Sequence, residues 1–594
     1  MFLLLLWRPP PDHWTGLISK ATLYNVEARV ERRSGVPEAT EETSDRKLRR
    51  ALSTTDLLML SLGGIIGSGW LFAAAGASIL AGPAAILSWI IGGLIVLTIA
   101  LVYAELGGMI PRSGAIVRYG AYSHGSFAGY MFGWAYFLSA VSVPPIEAEA
   151  VITYAGTYIN GLVSPSGVLT GEGIILAMLL TAVFFILNYV GIKVMGKANT
   201  GITWWKLLIP AATVVALFVA GFNASNFALS TGFIPYGWPA VFSSISLAGI
   251  VFSYLGFRQA LDYGGEAKNP QRSVPIATIL SVLIGMALYT LLQVVFIGHV
   301  TWPTGVTPGD WSSLSGPIVT APFATAASAA GLVALTYILY ADAYVSPSGT
   351  LNVYLGTSQR TLYGLATLKT LPKSLTKIQE RFRIPVLPLV ISTLVGFIFF
   401  APFPSWYKLV GFISSSTVFT YIVGGSALTT FRKHAAELKR PFKLGGASVF
   451  APISFVGASL IVYWSGWPVV GYVAAAIFLG LLVYGVLAAA NRKETVNIFT
   501  GQALKAGAWV PVYIVVLVAL SYLGETDYGG IGVINFPIDF VIVIIVGLVF
   551  YVWSIKSGYR TAEVEQMATL GTQFVASETP EGSPSSQKSS EKPA

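Results

Sequence analysis

Two kinds of residue are scarce in this sequence: cysteine and the charged amino acids. Cysteine is absent, which excludes disulfide bonds, thiolate nucleophiles and cysteine-ligated metal sites. Charged residues occupy only 11% of the 594 positions, whereas an ordinary soluble domain carries about 25%. Because 54% of the residues are hydrophobic and the mean hydropathy is +0.69, the chain is predicted to be a membrane protein.

The motifs of several enzyme classes are missing as well. No GxxxxGK[ST] sequence is present for ATP-driven transport. The glycine-rich stretch at 64–69 lies in an apolar run with no strand before it, which argues against dinucleotide binding. The histidines are scattered without the spacing of metal ligands, at His13, His124, His299 and His434. We therefore predict no enzyme, no metal site and no cofactor.

Long apolar runs occur fourteen times along the chain. Each is close to or above the ~20 residues that a helix needs to cross a bilayer. They predict an all-α polytopic membrane protein with about fourteen transmembrane helices. The runs lie at 54–80, 84–110, 127–159, 173–191, 200–221, 240–262, 275–299, 326–356, 385–401, 409–430, 449–466, 469–490, 507–523 and 534–555.

The positive charges lie almost entirely on one side of this predicted topology. The formal net charge is +9, yet Lys408 is the only basic residue on a predicted outer loop, while Lys206 and Arg258 fall inside spans. Lysine and arginine favour cytoplasmic loops. The pattern predicts a multi-pass protein of the cell membrane with both termini in the cytoplasm, and it argues against a nucleic-acid partner.

Both ends of the chain are predicted to be cytoplasmic tails. In the first tail, 1–50, the apolar start is too short to span a bilayer and three prolines follow it. Neither a transmembrane helix nor a signal peptide is therefore predicted there. The second tail, 557–594, is rich towards its end in Ser, Pro, Glu and Lys, a composition typical of disorder.

The first apolar run contains a cluster of glycines. Gly63, Gly64, Gly67 and Gly69 fall within seven positions, although glycine is a poor helix former. Non-helical backbone inside a bilayer is tolerated only where it lines a cavity or meets a ligand. The cluster predicts two half-helices separated by a break at 65–69, with free amides of the second half-helix facing a carboxylate. The alternative is that the glycines only permit close helix packing.

Three further motifs accompany the glycine cluster. They are YAELGGMIPRSGA at 103–115, FSYLGFR at 252–258 with GEAKNPQRSVP at 265–275, and SQRTLYGLA at 358–366. In order and spacing, over about residues 52–490, the set resembles the amino acid–polyamine–organocation (APC) family of permeases. The resemblance implies a LeuT-type fold, in which spans 1–5 and 6–10 form inverted repeats and spans 1 and 6 are broken around the substrate. The implied core is 51–430, with helices 11 and 12 at 431–490 and two additional helices at 491–556.

The resemblance also implies the substrate-binding residues. In the family, amides at the first break hold the substrate carboxylate, and backbone carbonyls at both breaks hold its ammonium group. The matching amides are those of Gly67, Ser68 and Gly69, and the matching carbonyls are those of Ile65, Phe252 and Leu255. The ring of Phe252 is expected to cover the substrate.

Lys206 lies six residues into the fifth span, in the sequence WWKLL. A lysine in lipid costs several kcal/mol unless it is paired, deprotonated or able to reach the interface. In sodium-independent family members, a lysine at the matching position takes the place of the coupling ion. We therefore expect Lys206 to couple transport to protons. The alternative is a lysine that extends to the inner interface beside its tryptophan neighbours.

Arg258 places a permanent positive charge just after the expected break in span six. One interpretation is that its guanidinium binds a substrate side-chain carboxylate in a bidentate manner. The other, which we favour from the spacing, is an i,i+4 ion pair with Asp262 at an inner gate. Both residues are thus candidates for selectivity or gating.

Several acidic and hydroxyl residues also lie within spans. Glu147 and Glu149 are candidates for a proton carrier or a contact to a cationic substrate, and their spacing allows only one of them to face the pathway. The alternative is that both lie in water near the outer mouth. Asp342 is a further candidate, Glu105 is expected to be structural, and hydroxyls beside Lys206 are expected from Ser346, Ser348 and Thr350.

These observations predict a secondary active transporter. The predicted activity is sodium-independent, proton-coupled amino acid symport by alternating access, with the amino acid, protons and the lipid bilayer as partners. An exchanger of amino acids or amines is the first alternative, and a non-transporting nutrient sensor is the second. The residues leave the substrate open, since Arg258 favours an acidic one and Glu147 a cationic one.

Overall fold

The computed structural model describes residues 51–569 except 165–166, 191 and 383, and it does not describe the side chains of 192–199. This part of the chain is helical, with isolated β-bridges such as Leu52 with Ala267. The predicted tail at 1–50 lies outside the described residues. Of the predicted tail at 557–594, the described part includes a helical segment at 562–569.

The first half of the described chain forms helices α1 to α10. Two of the predicted spans are each interrupted, the first between α1 and α2 and the sixth between α7 and α9. The bounds are α1 (Thr54–Ile65), α2 (Ser68–Ala81), α3 (Ala85–Met109), α4 (Ala115–Ala155), α5 (Gly171–Tyr189), α6 (Ile192–Ala220), α7 (Gly237–Leu247), α8 (Ile250–Tyr254), α9 (Gln259–Asp262) and α10 (Pro270–Gly298).

The second half forms helices α11 to α20. Every one of the fourteen apolar runs of the sequence contains at least one helix of the two sets. The bounds are α11 (Pro317–Thr320), α12 (Pro322–Ala329), α13 (Val333–Thr367), α14 (Val386–Ile398), α15 (Trp406–His434), α16 (Ala447–Trp464), α17 (Val469–Ala490), α18 (Gly501–Gly507), α19 (Trp509–Leu523) and α20 (Ile538–Ser557).

Ten helical segments among the described residues are long and apolar enough to cross a membrane. One of them runs from Ser68 to Met109, so that α2 and α3 count once, and the bent pair of α7 with α8 and α9 makes an eleventh. Helices α1 and α14 are apolar but shorter. The chain is therefore a multi-pass, all-helical membrane protein.

Three long helices form the centre of the molecule. The most apolar stretches of α4 and α15 are completely buried, and α13 packs along α4. Helices α5, α6 and α17 lie at the periphery and expose apolar side chains such as Val183, Val219 and Leu482. Because exposed apolar surface of this extent marks a membrane-facing region, this periphery is the expected contact with lipid.

Helix α4 is kinked at Gly125, where the C-terminal part of the described chain packs against it. Gly125 has φ 80° and ψ 180°, a conformation that glycine adopts readily. The amide of Tyr559 donates to the carbonyl of Ser123 at 3.1 Å. The Nε2 of His124 donates to the carbonyl of Ser554 at 2.9 Å. We call the segment from Ser554 to Tyr559 the C-terminal clamp.

Candidate functional site

The first helix break lies directly before Ser68. Helix α1 ends at Ile65 and α2 begins at Ser68, inside the predicted break. A Cβ on Gly67 would lie 2.6 Å from the Oε1 of Glu147 and 2.6 Å from the Oγ1 of Thr350. Glycine is therefore required here because polar side chains lie against the backbone of the break. Close packing between apolar helices would not place polar side chains there.

Glu147 of α4 occupies the N-terminal end of α2. Its Oε2 accepts a hydrogen bond from the amide of Ser68 at 2.8 Å. The side chain is fully buried, and its Oε1 has no hydrogen-bond partner among the described residues. The first amides of a helix carry a partial positive charge that stabilises anions. A carboxylate of the protein thus sits on one of the three amides that the resemblance assigns to the substrate.

Lys206 of α6 contacts the other side of the same break. Its Nζ donates to the carbonyl oxygen of Gly63 at 2.5 Å and to the Oγ1 of Thr350 at 2.7 Å. The side chain is fully buried, so the ammonium does not extend to an interface. Its nearest charged groups are Glu147 and Asp342. The lysine therefore joins α1 to α13 at the end of the first half-helix.

Asp342 of α13 joins three helices beside Lys206. Its carboxylate accepts hydrogen bonds from the Nε1 of Trp70 at 3.1 Å and the Nε1 of Trp205 at 2.7 Å. It also accepts from the Oγ of Ser346 at 2.7 Å. Of the three hydroxyls expected near the lysine, only Thr350 bonds to it. Asp342 thereby fixes α2, which carries Trp70, to α6 and α13.

The second break begins earlier than the sequence predicts. Helix α7 ends at Leu247, α8 begins at Ile250, and the two helical parts meet at 48°. Gly249 between them has φ 85°, which is why the bend lies there rather than near Gly256. A 3-10 segment, Leu255–Arg258, follows and separates α8 from α9.

Two of the three carbonyls expected to face the substrate ammonium have partners within the protein. The carbonyl of Ile65 accepts from the hydroxyl of Tyr289 at 2.7 Å. The carbonyl of Phe252 accepts from the amide of Leu255. The ring of Phe252 meets the ring of Trp406 edge to face, with centroids 6.0 Å apart. These contacts connect the two breaks to α10 and α15.

The predicted ion pair between Arg258 and Asp262 is wrong. The Nη1 of Arg258 donates to the Oγ of Ser139 at 2.9 Å, and Asp262 instead accepts from the hydroxyl of Tyr136. No salt bridge joins the arginine to Asp262 in the described chain. The two residues lie four positions apart across the junction of the 3-10 segment with α9, and each binds a side chain of α4 instead, Ser139 for Arg258 and Tyr136 for Asp262.

Glu149 lies in a different environment from Glu147. It is also fully buried, so the alternative that both glutamates lie in water is wrong. Neither oxygen of Glu149 has a hydrogen-bond partner in the described chain. Its backbone carbonyl accepts from the hydroxyl of Thr153 at 2.7 Å. Only Glu147 reaches the helix break, as the spacing of the two residues predicts.

Two buried ion pairs close one end of the helix bundle. Glu105 of α3 binds Arg432 of α15, with Oε2 to Nη2 at 2.5 Å. Glu266 binds the Nε of Arg360 at 2.7 Å, and the Arg360 guanidinium lies 4.1 Å from the centre of the Tyr263 ring. The carbonyl of Glu266 also accepts from the amides of residues 51 and 52. Glu105 thus has the structural role that the sequence predicts.

The sequence containing this site matches a known protein family. Residues 52–471 match the model described as amino acid permease. The chain belongs to this family. The match includes both helix breaks together with Glu147, Lys206 and Arg258, and it ends before α18. The amino acid permease predicted from the four motifs is therefore confirmed at the level of the family.

Two relatives of the permease are similar over nearly their whole length. The glutamate/serine transporter AimA of Bacillus subtilis (strain 168) is 40% identical over 536 residues, which are 89% of this chain and 98% of the relative. The aspartate-proton symporter of the same organism is 34% identical over 518 residues, which are 87% and 98% of the two chains. These relatives are transporters, so the permease is a member of a transporter family and not of an enzyme family.

Some residues at the site of the permease could not be found from the sequence. Trp406 begins α15 and donates from its Nε1 to the Oγ of Ser68 at 2.7 Å. Tyr289 and Ser139 contact Ile65 and Arg258 from α10 and α4. Tyr289 and Ser139 are ordinary residues of apolar spans and Trp406 lies just before one, and only the tertiary structure brings them to the breaks and to Arg258.

Proposed function

We propose that the permease carries an amino acid into the cell together with a proton, without sodium, by alternating access. One observation carries the proposal: Glu147 sits on the amide of Ser68, beside the buried ammonium of Lys206. This amide is where the substrate carboxylate is expected. An ionisable group of the protein and the substrate would therefore compete for one position, which links proton binding to substrate binding.

The proposed step replaces one anion with another. Without substrate, the carboxylate of Glu147 faces the N-terminus of α2 and the charge of Lys206. An amino acid would bring its own carboxylate to the same amides, and two carboxylates in one site repel each other. When Glu147 takes up a proton it becomes neutral, and the site again holds one anion. One proton then accompanies each substrate molecule.

Lys206 is proposed as the coupling group of this cycle. Its Nζ joins Gly63 of α1 to Thr350 of α13, where the family resemblance expects a coupling ion in sodium-dependent members. Gain and loss of a proton by the amine would replace binding and release of that ion. Glu147 and Lys206 would share the proton pathway, because each is a charged neighbour of the other.

The proposed architecture is the LeuT-type arrangement with fourteen spans and both termini in the cytoplasm. Spans 1–5 and 6–10 would form the inverted repeats of the core at 51–430, followed by helices at 431–490 and 491–556 and cytoplasmic tails at 1–50 and 557–594. Support comes from the two interrupted spans at corresponding positions of the repeats. The one-sided distribution of lysine and arginine supports the orientation.

The relatives indicate which substrates to assay first. One is named for glutamate and serine and the other for aspartate with protons. We propose that the permease carries an amino acid of this set. The proton in the second name agrees with the exchange proposed for Glu147.

Uptake into proteoliposomes tests the proposal. Labelled glutamate, aspartate and serine would be supplied in sodium-free buffer, with and without an inward proton gradient, to the wild type and to Lys206→Ala. We expect gradient-driven accumulation by the wild type. In the variant we expect it to fall by at least about tenfold, because the proposed proton-coupling amine is removed. Liposomes without protein give the background.

Other outcomes would identify the two alternatives. Uptake that ignores the gradient and requires internal amino acid would indicate an exchanger, and the coupling role of Lys206 would then be wrong. Binding without flux would indicate a sensor. Accumulation by Lys206→Ala equal to that of the wild type would assign the coupling to another group.

A further inference from the structure

Arg258 carries a buried guanidinium with one unused edge. The side chain is fully buried, and its Nη1 donates to the Oγ of Ser139 at 2.9 Å. Its Nε and Nη2 have no hydrogen-bond partner within the described chain. These two groups lie on the same edge of the guanidinium. Together they form the fork that binds a carboxylate through two parallel hydrogen bonds.

Two aromatic rings pack on the guanidinium. The rings of Tyr136 and Tyr354 each have their centres 4.8 Å from its central carbon, a favourable cation–π distance. The hydroxyls of Tyr354 and Tyr421 also interact with the guanidinium, but neither makes a hydrogen bond of normal geometry with Nε or Nη2. These two N–H groups therefore remain available to a ligand. A planar carboxylate in the plane of the guanidinium would satisfy both of them.

The nearest acidic side chain does not fill this edge. Asp262 binds the hydroxyl of Tyr136 through Oδ2, and its Oδ1 is without a partner. Most buried polar groups in proteins are hydrogen-bonded, and a buried cation with unused N–H groups is destabilising. Charged groups inside membrane proteins usually mark a substrate or ion pathway. The free edge of Arg258 is thus a position that a ligand would stabilise.

Arg258 lies close enough to the first break for one small molecule to contact both. Its 3-10 segment packs on the end of α1, where a Cβ on Gly256 would lie 2.1 Å from the amide nitrogen of Ile65. Tyr354, which covers one face of the arginine, follows Thr350 by four residues on α13, about one helical turn of 5.4 Å. Thr350 itself bonds to the carbonyl of Gly63 at 2.9 Å.

We propose that Arg258 binds the side-chain carboxylate of an acidic amino acid whose α-carboxylate occupies the amides at the first break. The inference rests on the proposed function and adds the substrate class to it. Aspartate and glutamate carry such a second carboxylate, and Thr350 at the break and Tyr354 on the arginine are one helical turn apart on α13. A neutral side chain would leave the edge of Arg258 unfilled.

Two pairs of isosteric ligands test this on the wild type. Binding of glutamate against glutamine, and of aspartate against asparagine, would be measured by the thermal stabilisation of the purified full-length permease. In each pair, the neutral member has an amide NH2 group in place of one oxygen of the side-chain carboxylate. We expect at least about tenfold tighter binding of the acidic member, since a charge-assisted bidentate contact is worth more than 1.4 kcal/mol. Equal affinity within both pairs would overturn the proposal.

Variants of the arginine locate the effect. In Arg258→Gln, the affinity ratio of glutamate to glutamine is expected to fall by at least about tenfold. Arg258→Lys keeps the charge but loses the fork, so its affinity ratio is expected to lie between those of the wild type and Arg258→Gln. Ser139→Ala is the matched control, because it removes the Nη1 partner and leaves the free edge intact. An unchanged ratio in Arg258→Gln would assign the acidic preference to another residue.

Failure of this inference can be distinguished from failure of the proposed function. Proton-driven uptake of neutral amino acids with no preference for acidic ones would overturn the role of Arg258 and leave symport intact. Tight binding of acidic amino acids without proton-driven uptake would support the role of Arg258 and overturn proton symport. If Arg258→Gln does not fold, the ligand pairs on the wild type still decide the question.

Discussion

Two glutamates of α4 separated by one position have opposite surroundings. Glu147 receives a hydrogen bond from the amide of Ser68 at the helix break. Glu149 is equally buried but has no partner for either oxygen among the described residues. Loss of charge affects them differently, since a buried carboxylate without a hydrogen bond is destabilised more by being ionised than one that accepts a hydrogen bond. The two residues are therefore a natural pair for comparison.

Substitution by glutamine separates the two roles. In Glu147→Gln, the amide oxygen still accepts from Ser68, but the side chain cannot take up a proton. We expect substrate binding to persist while gradient-driven uptake falls by at least about tenfold. Glu149→Gln is the matched control, and we expect uptake close to the wild type with equal or higher thermal stability, because the neutral amide carries no charge into an apolar region. Full gradient-driven uptake by Glu147→Gln would refute its role as proton carrier.

For single residues, the sequence predicts the backbone features of the site better than it predicts the side-chain partners. The glycine cluster and the isolated Lys206 are strong local signals, and the structure places both at the first break. The environment of Arg258 was not predictable, because Tyr136 and Tyr354 come from helices distant in sequence. The spacing of Arg258 and Asp262 allows an ion pair, but Ser139 and Tyr136 of α4 bind the two side chains instead.

Among the helices, the contact between α1 and the 3-10 segment is the closest approach at the site. Gly256 packs on the end of α1, and no larger residue fits in this arrangement. A Cβ there would lie 2.1 Å from one backbone atom of α1 and 2.2 Å from another. The end of α1 and the 3-10 segment of the sixth span thus touch through their backbones, so movement of one requires movement of the other.

Gly256→Ala tests this contact. The added methyl group must push the backbones apart, at a cost of about 1–3 kcal/mol. We expect a lower thermal transition and weaker amino acid binding. Gly485→Ala is the control, because the Cβ of that residue in α17 would meet no atom within 4 Å. Since alanine favours a helix more than glycine does, equal losses in the two variants would show that the contact of Gly256 with α1 is not the cause.

The ion pair between Glu266 and Arg360 is expected to hold one end of the permease closed, which is the inner end in the proposed orientation. Its charged groups are 2.7 Å apart, and the side chain of Glu266 is 2% exposed. Removing one member of a buried pair is strongly destabilising, by about 3–5 kcal/mol. Glu266→Gln is therefore expected to favour an inward-open state.

Cysteine labelling can detect that opening. The native chain has no cysteine, so a single Leu52→Cys, at a residue that is 7% exposed beside the pair, is the only thiol. We expect Glu266→Gln to increase its rate of maleimide labelling by at least about tenfold. Val533→Cys, at an exposed residue of the segment between α19 and α20, serves as the reference thiol. A rate that does not change would mean that other contacts keep this end closed.

At the scale of the whole molecule, the last two spans pack against the helices at the centre of the bundle. Helix α20 packs on α16 and α15, and α18 packs on α4. The positions of these spans are predicted by hydropathy, which reports length and apolar content. Hydropathy does not predict their role, because the kink at Gly125 and its contacts with the C-terminal clamp arise only from tertiary packing.

Truncation of the chain measures this contribution. A permease ending at residue 490 lacks α18, α19 and α20 and leaves the kink of α4 without the C-terminal clamp. We expect it to be less stable in detergent, with a lower transition temperature and reduced monodispersity. A chain ending at Thr569 retains the clamp and is the control. If the shorter chain is as stable and as active as the control, the last helices are dispensable for the core.

The C-terminal clamp also has a consequence for biosynthesis. His124 and its partner Ser554 are separated by 430 positions, which a ribosome adding about 5–20 residues per second covers in roughly 20–90 s. During that time α4 is already synthesised, and the polar groups at its kink await partners that do not yet exist. The core of the permease can reach its final form only when translation is nearly complete. Truncated products would retain an exposed kink by which cellular quality control could recognise and remove them.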